Sequence, residues 1–197
     1  ELFLRISQDH KARRMWIVPP VALALAKHPI VDTYDLSSIE QVFSGAAPLG
    51  AEVSDAVAKR LDCISVQGFG MTELSPVSHT TPLGKPKSGS SGTALPNTIC
   101  RIVDPESGAD LPVGKEGELW IKGPQVMKGY LNNEKATKET LTPDGWLKTG
   151  DIAYIDEDGY MFIVDRLKEL IKFKGFQVAP AELEATLVAM DGITDAA

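Results

Sequence analysis

A strand, a helix and a second strand follow one another between Ile39 and Gly70, and this order constrains the fold more than any other feature. The first strand-like segment, IEQVFSGAAP, ends in small residues, and the second, CISVQGFG, ends at glycines. Between them a leucine or valine recurs every four residues, at Leu49, Val53, Val57 and Leu61. This spacing is typical of one face of a helix. The order predicts a parallel α/β layer, in which ligands bind at the carboxyl ends of the strands.

The whole chain divides into four regions by sequence pattern. Residues 1–79 alternate between helix-like and strand-like segments, such as FLRISQDH, RRMWIVPP and PPVALALAKHP. Residues 80–97 are rich in Thr, Pro, Gly, Ser and Lys, which predicts a loop. Residues 98–164 contain short strand-like runs, including TICRIVD and GELWIKG, which predict a small β-barrel or sandwich. Residues 165–197 begin a further unit, with a strand over LIKFKGFQV and then a helix whose first turn contains Pro180.

The composition indicates an ordinary globular protein and argues against several other classes. Of the 197 residues, 43% are hydrophobic and 24% are charged, so the chain can bury a core. The formal net charge is -7 and no basic stripe is visible, so we expect no nucleic-acid partner. The apolar stretch WIVPPVALALA is too short to span a bilayer. Cys63 and Cys100 lack paired spacing, which predicts buried thiols in a reducing compartment, the cytoplasm or the peroxisome.

The segment WLKTGDIAYIDEDGYMFIVDRLKELIKFKG brings two charged residues to the open end of a predicted hairpin. IAYI and YMFIV flank DEDG, which is a good four-residue hairpin loop. We expect Ile155 to pair with Tyr160. Asp151 then faces Val164 and lies close to Arg166. A carboxylate there can accept hydrogen bonds from two ribose hydroxyls, and a guanidinium can bind sugar or phosphate oxygens. The alternative is a surface ion pair that closes the hairpin and contributes little stability.

Two turns rich in small residues follow the predicted strands. In VQGFGMTELSP, Phe69 lies between Gly68 and Gly70, so backbone and ring can meet a flat ligand. Thr72 offers a hydroxyl to a phosphate, and Glu73 offers an oxygen ligand to a hard cation such as magnesium. The alternative is a turn with a buried Phe and a solvated Glu. The open backbone of FSGAAPLG either contacts an adenine edge or only begins a helix.

Together these motifs resemble the adenylate-forming superfamily of acyl-CoA synthetases and beetle luciferases, and most of all its 4-coumarate–CoA ligase branch. SGAAPL, GFGMTE, GELWIKGPQVMKGYLNN, GWLKTGD and DRLKELIKFKGFQVAPAELE carry the resemblance across essentially the whole chain. Met71, where peptide-synthetase domains usually have Pro, favours a free-standing CoA ligase. The resemblance implies an α/β fold in which residues 1–165 are the C-terminal portion of a large AMP-binding domain. That portion comprises an α/β subdomain (1–79) and a β subdomain (80–165), and residues 166–197 form the hinge and the beginning of a small C-terminal domain.

The resemblance also implies roles for individual residues. Phe69 takes the place of the aromatic residue, often Tyr, that stacks on adenine, and Asp151 that of the ribose ligand. The implied ATP- or AMP-binding residues are Gly45, Ala46, Ala47, Gln67, Gly68, Phe69, Gly70, Met71, Thr72, Asp151 and Arg166. The implied catalytic residues are Thr72, Glu73, Lys172 and Gln177, with Glu73 also the Mg²⁺ ligand. Lys168 matches the hinge, and Lys174 and Gly175 match the CoA-binding segment.

The implied activity is ATP-dependent ligation of a carboxylic acid to coenzyme A. An aromatic, hydroxycinnamate-like or medium-chain fatty acid forms an acyl-adenylate and then a thioester, with Mg²⁺ as cofactor and the acid, ATP and CoA as small-molecule partners. The alternatives are luciferase-like oxidation of an acyl-adenylate and a non-catalytic member that binds nucleotide or acyl-adenylate.

Several elements of the family pattern lie outside this sequence. They are the phosphate loop, the substrate-binding histidine segment and the C-terminal catalytic lysine. The chain also begins at Glu1 without Met, so we expect an internal fragment that is inactive alone. The segment SGSSGTALPN loosely resembles the phosphate loop, but it leads into a strand instead of a helix, and we predict that it is a linker.

Overall fold

A five-stranded sheet with three helices forms the first part of the computed structural model, which describes residues 1–82, 84–169, 171–173, 176–178, 180–190, 193 and 196. Its elements are α1 (Leu2–Asp9), β1 (Arg14–Ile17), α2 (Pro19–Lys27), β2 (Gln41–Ser44), α3 (Ala51–Leu61), β3 (Ile64–Gly70), β4 (Val77–Thr80) and β5 (Thr93–Ala94). Strands β1, β2 and β3 are parallel, while β4 and β5 add antiparallel to the β3 edge. The predicted parallel strand–helix–strand unit is therefore confirmed.

The first hydrophobic core lies between this sheet and its helices. Val57 is fully buried in the middle of α3, and the other members of its predicted four-residue repeat pack against the same core. Pro19 begins α2, where its fixed φ suits the first turn and its missing N–H is not needed. Ala22 and Leu25 of α2 are buried against the same core as Val42 of β2. The alternation of apolar and polar residues thus fixes which face of each element is buried.

A four-stranded antiparallel sheet forms the second part. Its elements are β6 (Ile99–Val103), β7 (Gly117–Lys122), α4 (Glu134–Thr140), β8 (Leu147–Ile155) and β9 (Met161–Arg166), and the strands lie side by side in this order. Its core contains Leu119, Ile121 and Leu147 together with Leu74, which comes from the turn after β3. Helix α4 was not predicted, although Asn133 caps it by accepting a hydrogen bond from the N–H of Ala136 at 3.1 Å.

Two expectations for this region are corrected. The second sheet is open and not closed into a barrel within the described residues, because the segment around Gly92, and not β6, bonds to the outer edge of β9 at Met161. The region 80–97 is more than a loop, because it contains the end of β4 and all of β5. Ser90 and Ser91 are buried, and both donate hydrogen bonds to the carbonyl of Met161. The predicted linker therefore connects the two sheets through hydrogen bonds to β9.

The last part of the described chain contains β10 (Ile171–Phe173), β11 (Phe176–Val178) and α5 (Pro180–Ala189). The predicted single strand LIKFKGFQV is wrong, because Ile171–Phe173 and Phe176–Val178 are two strands that pair antiparallel. Pro180 begins α5, as predicted. Among the described residues, none of the helices combines the length and apolar character that crossing a bilayer would require.

Candidate functional site

The hairpin of β8 and β9 brings Asp151 and Arg166 together, but not in the predicted register. Ile155 pairs with Met161 and not with Tyr160, and Asp151 pairs directly with Arg166 and not with Val164. Two features cause the difference. The connecting loop has one more residue than predicted, and a β-bulge shifts the register between Ile152 and Ala153. The predicted proximity of the two charged residues is thus correct, although its geometric reason is different.

Asp151 is largely buried, whereas its partner is exposed. The Arg166 Nε lies 3.8 Å from the Asp151 Oδ1, with 71% of the Arg166 side chain and 14% of the Asp151 side chain exposed. Burial raises the pKa of Asp151 to about 6, and the Arg166 charge only partly counters it, while Glu118, Glu169 and Glu73 raise it further. A surface ion pair would not bury a carboxylate in this way, so the arrangement favours a binding role over simple hairpin closure.

The turn before Asp151 is fixed by side chains that the sequence analysis did not select. The buried Glu118 accepts a hydrogen bond from the Gly150 N–H at 3.2 Å and another from the Trp120 indole at 2.7 Å. Thr149 donates to the Leu119 carbonyl at 2.8 Å and accepts from the Asp151 N–H at 3.1 Å. A charged residue inside the strand-like run GELWI was the available signal for Glu118.

Phe69 is the penultimate residue of β3, next to the turn that follows this strand. Phe69 packs against the second core, and the register of β3 and β4 shifts between Phe69 and Gly70. The ring of His79 lies edge-on behind it, with centroids 6.3 Å apart. Burial lowers the pKa of His79 to about 4, so its imidazole is neutral. Its Nδ1 lies 2.9 Å from the Ser78 hydroxyl.

Gln67 connects this turn to the one that follows β2. Its side-chain amide accepts from the Leu49 N–H at 3.0 Å and donates to the Leu49 carbonyl at 2.9 Å. The side chain predicted to contact a nucleotide is therefore engaged in holding the small-residue turn of Gly45, Ala46 and Ala47 beside β3. Ala46 has φ +73, a left-handed conformation that only a locally constrained turn stabilises in alanine.

Glu73 lies in a short 3₁₀ turn, Thr72–Leu74, that begins two residues after Gly70. Its Oε1 accepts a hydrogen bond from the Tyr130 hydroxyl at 2.7 Å, which orients the carboxylate. No group of three or more acidic, histidine or cysteine side chains suited to a metal occurs in the part of the chain that the structure describes. A single oriented carboxylate fits Mg²⁺, which typically takes one or two carboxylates and completes its shell with waters and substrate phosphates.

A cavity of about 960 Å³ lies next to the small-residue turn. Its lining is mostly apolar and includes Trp16, Val21, Phe43, Gly45 and Ala46. Trp16 and Phe43 form a tilted aromatic pair with centroids 4.7 Å apart. The cavity therefore lies beside the predicted nucleotide-binding residues and suits an apolar group.

Comparison with known proteins identifies the family. A family model described as AMP-binding enzyme matches residues 1–131. The chain belongs to this family. Of the curated relatives, "Probable 4-coumarate--CoA ligase 3" of Dictyostelium discoideum is 55% identical over 196 residues, covering 98% of this chain and 36% of the relative. "4-coumarate--CoA ligase 1" of Solanum tuberosum is 52% identical over 201 residues, covering 99% and 37%. The chain thus spans 36% to 37% of the length of these two relatives.

Solved structures of AMP-binding enzymes share the fold. The crystal structure of the anthranilate CoA ligase AuaEII in complex with anthranoyl-AMP matches with a TM-score of 0.90 and 25% identity, covering 98% of this chain and 37% of that protein. ATP-bound MatB from Rhodopseudomonas palustris matches with a TM-score of 0.87 and 33% identity, covering 98% and 39%. The expected adenylate-forming α/β fold is therefore confirmed.

In this AMP-binding enzyme, the predicted site residues fall into two groups. Those of the first group lie on the turn after β2, at the end of β3 and in the turn after it, and on the hairpin of β8 and β9. Lys172 and Gln177 belong to the second group and are paired positions of β10 and β11, which follow both sheets in the sequence. Lys168 lies in the turn after β9, and Lys174 and Gly175 lie outside the described residues. The individual roles and the domain boundaries stay predictions.

Proposed function

We propose that this chain is part of an ATP-dependent acid–thiol ligase, which activates a carboxylic acid as an acyl-adenylate and transfers it to coenzyme A. The observation that carries the proposal is the buried Asp151, which lies close enough to Glu73 of the turn after β3 for that carboxylate to raise its pKa. A large apolar cavity adjoins the turn after β2. The curated relatives named 4-coumarate–CoA ligase support the same activity.

The nucleoside would lie between the two sheets. The Phe69 ring offers an aromatic face for adenine, and stacking needs only the ring, so the phenol oxygen of a tyrosine is dispensable. Asp151 would accept hydrogen bonds from the two ribose hydroxyls, because an ionised carboxylate is an acceptor only. The exposed Arg166, paired with it at 3.8 Å, is free to swing towards sugar or phosphate oxygens.

Glu73 would hold the magnesium ion that accompanies ATP, with Thr72 donating its hydroxyl to a phosphate oxygen. When bound, the ion neutralises phosphate charge. The chain itself contributes fixed positions: Glu73 is oriented by Tyr130, and its carbonyl accepts the Met127 N–H at 2.8 Å. Holding reactants in place in this way accounts for much of the rate enhancement in acyl and phosphoryl transfer.

The apolar cavity would bind the acyl group of the acid. Its aromatic pair, Trp16 and Phe43, suits an aromatic or hydroxycinnamate-like acid or a medium-chain fatty acid. The carboxylate end would reach the nucleotide at Gly45 and Ala46, which border both the cavity and the turn after β2.

The second step, thioester formation, would use the region after Arg166. Lys172 and Gln177 would close on the substrates in the first step, and Lys174 and Gly175 would line the path of the CoA thiol in the second. Lys168 is the proposed hinge, in a turn where the Leu167 N–H donates to the Gly150 carbonyl at 2.8 Å. One site that performs two steps needs such a hinge with two settled arrangements.

The complete enzyme tests this proposal by acid-dependent exchange of pyrophosphate into ATP and by thioester formation with CoA, with 4-coumarate and hexanoate as acids. We expect both reactions in the complete enzyme and neither in residues 1–197 alone. Absence of acid-dependent exchange from the folded, complete enzyme would contradict the proposal.

Asp151→Asn tests the role of the buried carboxylate. The variant loses an acceptor for the ribose, at a cost of about 1–3 kcal/mol, or about 5- to 150-fold in ATP affinity. In the wild type, ATP affinity should fall as pH drops through about 6, where Asp151 gains a proton, and the variant should lack this dependence. Asp110→Asn is the matched control, because Asp110 pairs with Arg101 at 3.4 Å on the same sheet, outside the site. Equal ATP affinity in wild type and Asp151→Asn would contradict ribose binding by Asp151 and indicate a structural role.

A further inference from the structure

Tyr130 connects the second sheet to the turn that carries Glu73. Its hydroxyl donates to the Glu73 Oε1 at 2.7 Å, although the two residues are 57 positions apart. Three residues earlier, the Met127 N–H donates to the Glu73 carbonyl at 2.8 Å. The segment between β7 and α4 therefore holds both the main chain and the side chain of Glu73.

Helix α4 in turn fixes Tyr130. The Tyr130 N–H donates to the Thr137 hydroxyl at 2.9 Å, and this hydroxyl donates in turn to the Asn133 carbonyl at 2.9 Å. Gly129 has φ +149 and lies so close to Thr137 that an added Cβ would be 2.9 Å from its methyl group. Gly129, the residue before Tyr130, therefore packs closely against α4, which fixes the direction of the Tyr130 ring.

We propose that Tyr130 is a positioning residue for the Glu73 carboxylate and that α4 supports it through Thr137. The hydroxyl engages Oε1, so a divalent cation would bind through Oε2 in a set direction. This inference rests on the proposed function, because that function assigns the cation to Glu73. Carboxylates that bind metals are themselves hydrogen-bonded, and loss of such a partner typically lowers metal affinity about 10- to 100-fold.

Tyr130→Phe in the complete enzyme removes only the hydroxyl and keeps the ring. Tyr160→Phe is the matched control, because the Tyr160 hydroxyl donates to the Lys85 carbonyl at 2.8 Å in a different part of the surface. Mn²⁺ is the probe, and its binding is measured by electron paramagnetic resonance in the presence of α,β-methylene-ATP. The same variants are tested for the Mg²⁺ concentration that half-saturates pyrophosphate exchange and for melting temperature.

We expect Tyr130→Phe to weaken Mn²⁺ binding about 10- to 100-fold and to raise the half-saturating Mg²⁺ concentration by a similar factor. Exchange should recover at high Mg²⁺, because the catalytic groups are unchanged. Tyr160→Phe should match the wild type in both assays. A purely structural hydroxyl would instead lower the melting temperature and leave metal affinity unchanged, and that result would overturn the inference.

Glu73→Gln separates this inference from the proposed function. If Glu73→Gln weakens Mn²⁺ binding and Tyr130→Phe does not, the positioning role is wrong while the ligase proposal stands. If neither variant changes Mn²⁺ binding but the wild type catalyses exchange, Glu73 is not the cation ligand and the inference fails with that role. A wild-type enzyme whose Mn²⁺ binding with the nucleotide depends on both Glu73 and Tyr130, but which catalyses no exchange, would support the inference and contradict the ligase proposal.

Discussion

The two sheets contribute to the candidate site in different ways. The first supplies turns of backbone and an aromatic ring at the ends of parallel strands, and its charged groups are few. The second supplies charged side chains from bulged antiparallel strands. Register shifts lie at Phe69/Gly70, at Glu118/Trp120 and at Ile152/Ala153. Each shift therefore lies beside a residue of the site. A bulge changes the direction of the side chains next to it relative to a regular pair of strands.

Two glycines of the site, one in each sheet, are required for different reasons. A Cβ on Gly70 would lie 2.1 Å from the Pro76 carbonyl oxygen, so the backbone approach itself requires glycine. Gly150 has φ +74 but open space around the position of a Cβ, so only the torsion requires glycine there. Close packing therefore fixes the turn after β3 at Gly70, whereas local conformation fixes the turn before Asp151 at Gly150.

The strongest test of this difference is Gly70→Ala. The added methyl group would displace backbone and not a flexible side chain, so we expect a loss of more than about 3 kcal/mol in the free energy of unfolding. Gly45→Ala is the control in the same sheet, since its Cβ would meet only the Phe43 ring at an ordinary 3.8 Å. Urea unfolding of the complete enzyme measures both. Similar losses in the two variants would show that close packing does not govern this turn.

The second test uses two buried titratable groups of opposite pH dependence. His79 in the first sheet has a pKa lowered from 6.5 to about 4 by burial. As the pH falls, the unfolded chain takes up the proton first, so His79 begins to reduce the free energy of unfolding only below pH 6.5. Between pH 6.5 and 4 the loss amounts to about 3 kcal/mol.

Asp151 in the second sheet has its pKa raised from 3.8 to about 6, so the sign is reversed. The unfolded chain loses its proton first, and the folded state bears the cost of a buried charge above pH 6. That cost is relieved between pH 6 and 3.8, by about 3 kcal/mol. The two effects therefore nearly cancel in the wild type.

Single substitutions should reveal the two contributions. As the pH falls from 6.5 to 5, we expect Asp151→Asn to lose stability steeply, because the gain from protonating Asp151 is absent. We expect His79→Gln to gain stability over the same fall in pH, because the loss caused by His79 is absent. His10→Gln, at an exposed position, should behave like the wild type. Urea unfolding at pH 7 and pH 5 measures the differences. Parallel pH dependence in all the variants would contradict the assigned burial of one or both groups.

Sequence patterns were sufficient for the parts of the fold that depend on local periodicity. The parallel strand–helix–strand unit follows from the four-residue repeat of α3, and the contact of Asp151 with Arg166 follows from the hairpin. The register did not follow, because a bulge adds a residue without any composition signal. Glu118 and Tyr130 were missed because their contacts join segments distant in sequence, and only the packed structure brings those segments together.

The smallest expected effect concerns Gly150, and it tests the role of local conformation in the second sheet. Gly150→Ala should cost about 1–2 kcal/mol of stability, the strain of a left-handed alanine, since no atom lies within 4 Å of the new methyl group. Gly159→Ala is a close match, because Gly159 has φ +80 and equally open surroundings but lies in the loop after β8. Both variants should therefore lose similar stability in urea unfolding. Only Gly150→Ala should also weaken ATP binding, because its strained turn shifts Asp151 away from the ribose. If the two variants bind ATP equally well, the conformation of this turn does not position Asp151, and the second sheet would hold its carboxylate through burial alone.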